Sequence, residues 1–171
     1  MEDAISKVVN RYDVAGKYLD LEAINELKTY FNSGLDRILI SGLINSNAST
    51  IVKEASAQLY EEQPELLRPG GNSYTTRRYA ACLRDIDYYL RYCSYAIVAG
   101  DLNILDERVL DGLRETYNSL EVPIGPTVRS IRLIQDVIEE IARVENFNIR
   151  DTSILLKPLE YMADNLGEQN L

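Results

Sequence analysis

Apolar residues recur three or four positions apart through nearly the whole chain, and that spacing decides what it can fold into. Ala4, Ile5, Val8, Val9 and Tyr12 mark one face near the N-terminus, and Leu21, Ile24, Leu27 and Phe31 form a second stripe. Helices packed on helices are the expected result, because no segment sustains the alternation that a half-buried strand requires. Gly16 punctuates the first stripe, and Asp20 is placed to cap the second. Gly34 interrupts, after which "LDRILISGLI" continues as a buried helix. "NSNAST" reads as a break followed by caps, and "IVKEASAQLYEE" as a further helix.

The clearest loop is "QPELLRPGGNSY", where Pro64, Pro69, Gly70 and Gly71 stop any helix. From Thr75 to Val98 the pattern is helical again, with Gly100 as the residue just past its end. Short helices are expected around "NILDERVLDGLRETYNSL". After the break at "EVPIGPTV", Pro126 starts a helix that runs to about Val144. The loop "ENFNIRDTS" precedes a terminal helix with Pro158 in its first turn. The expectation is one all-α domain over residues 1–171, with about eight helices. The first two could fold back onto the body or dock on another chain, and pattern alone allows both.

Composition limits the function. A chain of 171 residues suits one domain with a real core. No run approaches the roughly 18–20 apolar residues of a membrane span, and "MEDAISKVVNRYD" lacks the apolar core of a secretory signal. A formal charge of −9 argues against nucleic acid and against anionic lipid, and favours a protein partner with basic patches. Histidine is absent, which removes the usual general base, metal ligand and haem ligand. Cys–His and Ser–His–Asp sites are excluded with it, and two cysteines cannot build a Cys₄ metal site. Carboxylate or tyrosine catalysis remains open, although nothing singles out a pair. Twelve tyrosines and no tryptophan suit interfaces and flat ligands.

The segment "TRRYAACLRDIDYYLRYCSYA" concentrates the remaining chemistry. On a helix at about 100° per residue, Arg78, Cys82, Asp85 and Tyr89 share one face, with Arg77 and Arg84 flanking it. Cys93 shares that face too. At about 1.5 Å of rise per residue it lies roughly 16 Å further along, beyond disulfide reach. Cys82 has four readings. A buried structural thiol is the commonest fate, but Arg78 and Asp85 make this face a poor apolar site. A redox or catalytic thiol gains from nearby arginine, yet lacks a histidine or a CxxC partner. A metal site has too few soft ligands. The fourth reading is covalent attachment of a flat ligand that carries N–H donors for Asp85 and carboxylates for the arginines. A linear tetrapyrrole, or bilin, meets each requirement.

"RPGGNSYTTRRYAACLRDIDYYLRY" resembles the chromophore-binding segment of phycobiliprotein beta chains, the light-harvesting subunits of the phycobilisome. "GDLNILDERVLDGLRETYNSL", "VPIGPTV" and "DVAGKYLD" extend the resemblance over essentially the whole chain. It implies a globin-like eight-helix fold with two additional N-terminal helices. Residues 1–33 are then the helical pair for subunit association, and 34–171 the globin-like body. By position, Cys82 is implied as the attachment residue and Asp85 as acceptor of the pyrrole N–H groups. Arg77, Arg78 and Arg84 face the propionates, and Tyr88 and Tyr89 pack beside the chromophore. Asn72 occupies the position that beta chains methylate on the side-chain amide, and Asp13 and Arg91 match intersubunit ion-pair positions.

Phycocyanin and phycoerythrin beta chains carry a second bilin cysteine toward the C-terminus, whereas nothing after Cys93 is cysteine here. One phycocyanobilin is therefore implied, as in allophycocyanin. Within that group, "YEEQPELLRPGGN" and "NFNIRDTSILLKPLEYMADNL" are more similar to the minor beta-18-type core subunit than to the bulk one. Two residues depart from the family: Glu121, where glycine is usual, and Cys93, where a small residue is usual. Glu121 puts the local turn in question, while Cys93 lacks an aspartate three residues on and reads as core. The resemblance implies an antenna subunit that passes excitation energy within the core toward chlorophyll and performs no turnover. Its implied partners are an allophycocyanin alpha-type subunit, in heterodimers and ring-shaped trimers, and linker proteins. Its implied place is the phycobilisome core on the cytoplasmic or stromal face of the thylakoid, peripheral to the membrane. The rival reading is a globin-like protein that uses Cys82 as a redox or sensor thiol without a bilin.

Overall fold

The computed structural model describes residues 2–147 and 150–167, and all of the regular structure among them is helical. Helix α1 (Ala4–Val14) starts where the Asp3 carboxylate accepts from the Ser6 N–H at 2.7 Å. Helix α2 (Leu21–Asn32) starts in the same way at Asp20, which accepts from Ala23 at 3.1 Å. Arg11 and Glu26 join the two helices at 2.6 Å.

Helix α3 runs without interruption from Gly34 to Glu62, so "NSNAST" is not the break its composition suggests. The apolar stripe carries through it: Ile44, the half-buried Ala48 and Ile51 keep the spacing of the buried face. The polar residues between them face outward, and Asn47 donates to the Leu43 carbonyl at 3.2 Å, one turn back in its own helix. Burial of one face outweighs the weak intrinsic helix preference of Asn and Ser here.

A 3-10 turn, Pro64–Leu67, opens the loop before α4. Gly71 is required within it, because a Cβ there would sit 2.3 Å from the Glu65 carbonyl oxygen and 2.4 Å from that of Leu66. This close approach lets the Ser73 N–H reach the Leu66 carbonyl at 2.9 Å, which sets the path of Asn72 and Ser73. Thr75 caps α4 (Thr76–Ala99), and Gly100 ends it in the left-handed conformation with φ 65°.

Asp101 then accepts from Asn103 at the start of the single turn α5 (Asn103–Leu105), which passes into a π-turn over Asp106–Leu110. Helices α6 (Leu113–Ser119), α7 (Ile124–Val144) and α8 (Ser153–Gly167) complete the chain. Pro126 lies in the first turn of α7. Pro158 lies past the first turn of α8, on its buried side, and leaves the Ile154 carbonyl without its usual partner. The loop expected at "ENFNIRDTS" falls partly outside the described residues.

The core is formed by α3, α4, α7 and α8, with Ile51, Leu59, Leu90, Ile97, Ile134 and Leu159 fully enclosed. Arg129 ties α7 to α3 through a two-pronged pair with Glu62 at 2.6 and 2.7 Å. The N-terminal pair meets this body at one end. Lys7 pairs with the buried Asp101 at 3.1 Å, and Tyr30 packs on Gly100. The architecture is the all-α, globin-like arrangement. Beyond that end, Val14, Tyr18, Phe31, Leu35 and Ile38 remain largely exposed. No helix among the described residues is long and apolar enough to cross a membrane.

Candidate functional site

Between α4, the Pro-Gly loop, the π-turn, α6 and the start of α7 lies a cavity of about 990 Å³. Asn72, Arg77, Arg78, Cys82, Arg84, Asp85, Tyr88 and Tyr89 all line it. The helical face read from spacing alone is thus a continuous wall, and Asn72 reaches it from the loop that Gly71 shapes.

Cys82 is half-buried at this wall. Burial pushes its thiol up from the ordinary value, opposed by the nearby hydroxyls of Tyr60 and Ser73, while the Asp85 charge adds to the rise. Cys93 has no exposed surface, and burial alone pushes it up to about 12. Its side chain belongs to the core.

Asp85 is held from two sides. Arg84 donates to Oδ1 from Nε at 3.1 Å and from its terminal nitrogen at 2.9 Å. The Tyr117 hydroxyl donates to Oδ2 at 3.1 Å and also shares a short hydrogen bond with the Tyr89 hydroxyl. Burial, chiefly, raises the pKa of both phenols far above the working range, so this chain of hydroxyls stays neutral. Tyr88 donates to the Arg108 carbonyl and packs edge-on to Tyr89, with ring centroids 6.4 Å apart.

Arg77 and Arg78 are exposed at the rim and meet no carboxylate among the described residues. Arg91 and Arg108 also line the cavity. Arg91 reaches Asp87 on its own helix at 3.8 Å, and Asp13 is exposed on α1. Five arginines of a chain of net charge −9 thus line this one opening.

Tyr60, Ser73, Arg108 and Tyr117 escaped the reading of the sequence. Tyr117 comes from α6, so no spacing within α4 could bring it to Asp85. Its one signal was the tyrosine excess itself.

A profile for the family described as phycobilisome protein matches residues 7–166. Curated relatives match end to end. The chain is 61% identical over 171 residues to the allophycocyanin subunit beta-18 of Porphyra purpurea, covering all of both chains. It is 56% identical over 168 residues to that of Synechocystis sp., covering 98% of each. It is likewise 56% identical, over all of both chains, to a phycobiliprotein beta chain of Mastigocladus laminosus. With the helical fold in agreement with these matches, the chain belongs to the phycobilisome protein family.

Proposed function

We infer that this light-harvesting subunit of the phycobilisome core holds one phycocyanobilin, joined by a thioether to Cys82. The observation that carries the assignment is the convergence of a thiol, a carboxylate, unpaired guanidinium groups and tyrosine walls on one cavity. Those are the donors and acceptors that a flat pigment with ring N–H groups and two propionates requires, so the residues fit the group. When bound, the bilin supplies absorption of visible light and passes the excitation on.

The chain's own residues bind and immobilise. Asp85 accepts ring N–H groups, and its carboxylate is already aimed by Tyr117. Arg77 and Arg78 would take the propionates, with Arg84, paired to Asp85 in the folded chain, beside them. Tyr88 and Tyr89 form walls whose hydroxyls are committed elsewhere, which limits their motion. Asn72 brings a side-chain amide to the same lining. No chemical turnover is assigned to the chain.

Residues 1–33 serve as the association surface toward an allophycocyanin alpha-type subunit, in heterodimers and ring-shaped trimers with linker proteins. Their exposed apolar side chains support this. In such an assembly the chain lies peripherally at the cytoplasmic or stromal face of the thylakoid. The redox reading of Cys82 is disfavoured, because a reactive thiol needs a lowered pKa and burial here raises it.

Co-expression of the full chain with phycocyanobilin synthesis and a bilin lyase tests the assignment. A covalent red-absorbing band is expected, lost in Cys82→Ser and kept in Cys93→Ser; the reverse pattern overturns it.

A further inference from the structure

Tyr60 lies just behind the cavity wall, next to the lining residue Leu59, and its polar end is unused in the folded chain. It is 8% exposed, its ring stacks on Tyr79 at 5.3 Å between centroids, and its hydroxyl is buried. That hydroxyl lies beside the Cys82 sulfur and the Ser73 hydroxyl, yet meets neither in hydrogen-bonding geometry and has no other partner. An unpaired buried hydroxyl costs stability, and phenylalanine would keep the ring and the stacking without that cost. Ser73 is also buried, and the backbone bond to Leu66 fixes its place in the cavity lining. Two hydroxyls from separate elements therefore neighbour one sulfur: Tyr60 from α3 and Ser73 from the Pro-Gly loop.

We propose that Tyr60, with Ser73, is a positioning residue for pigment attachment: its free hydroxyl turns to the Cys82 sulfur and donates to it once the thiol gives up its proton. This rests on the assignment of Cys82 as the attachment residue. Attachment adds the S–H across a carbon–carbon double bond of the pigment. The sulfur gains a carbon, the proton ends on carbon, and nothing is oxidised or reduced. Tyr60 supplies orientation and a hydrogen bond, and is itself unchanged. The other groups facing the sulfur do not duplicate it. Asp85 disfavours the thiolate, and the Tyr89 and Tyr117 hydroxyls are bound to each other and to Asp85. Arg78 on the same helix is exposed.

The test needs no pigment. The full pigment-free chain is alkylated with iodoacetamide across a range of pH, and the modification of Cys82 is followed on its tryptic peptide. Tyr60→Phe is expected to raise the midpoint by about one pH unit, a roughly tenfold slower reaction at neutral pH. Its melting temperature should be no lower than that of the parent chain. Ser73→Ala should shift the midpoint in the same direction. An unchanged midpoint in Tyr60→Phe overturns the proposal, as does a shift that comes with a lower melting temperature. Failure of the parent chain to load pigment at Cys82 would sink the earlier assignment instead, and the thiol titration tells the two failures apart.

Discussion

Asp85 links the geometry of the cavity to the optics of a bound pigment. Its carboxylate lies on the cavity wall, and a buried pair of phenols holds it there by acting as a fixed strut. Asp85→Asn keeps the volume and the hydroxyl partner but removes the charge that ring N–H groups seek. The loaded variant is expected to keep its covalent pigment, while the red band weakens and fluorescence falls, because a charge-assisted hydrogen bond to the ring N–H groups is lost. A variant with unaltered red absorption and fluorescence would remove Asp85 from its role. At this scale α4 was legible, since one helix carries its own register: Cys82, Asp85 and the arginines could be set on one face by counting. Tyr60 and Tyr117 could not, because their approach to Cys82 and Asp85 depends on how α3 and α6 pack.

At the scale of elements, the sequence misled where local composition opposed tertiary burial. "NSNAST" looks like a stop, yet Ile44, Ala48 and Ile51 keep one face buried and α3 continues. Pro158 looks like a first-turn residue, yet it lies deeper in α8 against the core. Glu121 is the opposite case, because the turn that its residue type puts in question is strained. It follows α6 with φ 53°, a left-handed conformation that glycine enters freely and other residues do not. The turn is kept because the next residue, Val122, donates to the Tyr117 carbonyl at 2.8 Å. Glu121→Gly should therefore stabilise the chain by about 0.5–1 kcal/mol, read as a higher denaturation midpoint. A decrease would mean that the Glu121 side chain stabilises more than its backbone costs.

For the whole molecule, the open question was where the first two helices sit. They pack on each other and grip the body at Gly100 and Asp101, while their outer side stays apolar and bare. Tyr18 is 98% exposed, and Ile38 on the adjoining stretch of α3 is 66% exposed. A surface of this kind loses little by mutation in the isolated chain and much in an assembly. Ile38→Glu is expected to leave the melting temperature of the isolated chain unchanged and to weaken association with an alpha-type subunit by about tenfold or more, measured by sedimentation. Unaltered association would place the subunit contact elsewhere.

The central claim is that one pigment sits on one sulfur, and peptide mapping of the native, pigmented chain tests it most directly. Trypsin releases Cys82 within the peptide Tyr79–Arg84 and Cys93 within Tyr92–Arg108. A single bilin adduct is expected, carried by Tyr79–Arg84, with Cys93 recovered as a free thiol. An adduct on Tyr92–Arg108, or an unmodified Tyr79–Arg84 peptide from pigmented protein, would contradict it.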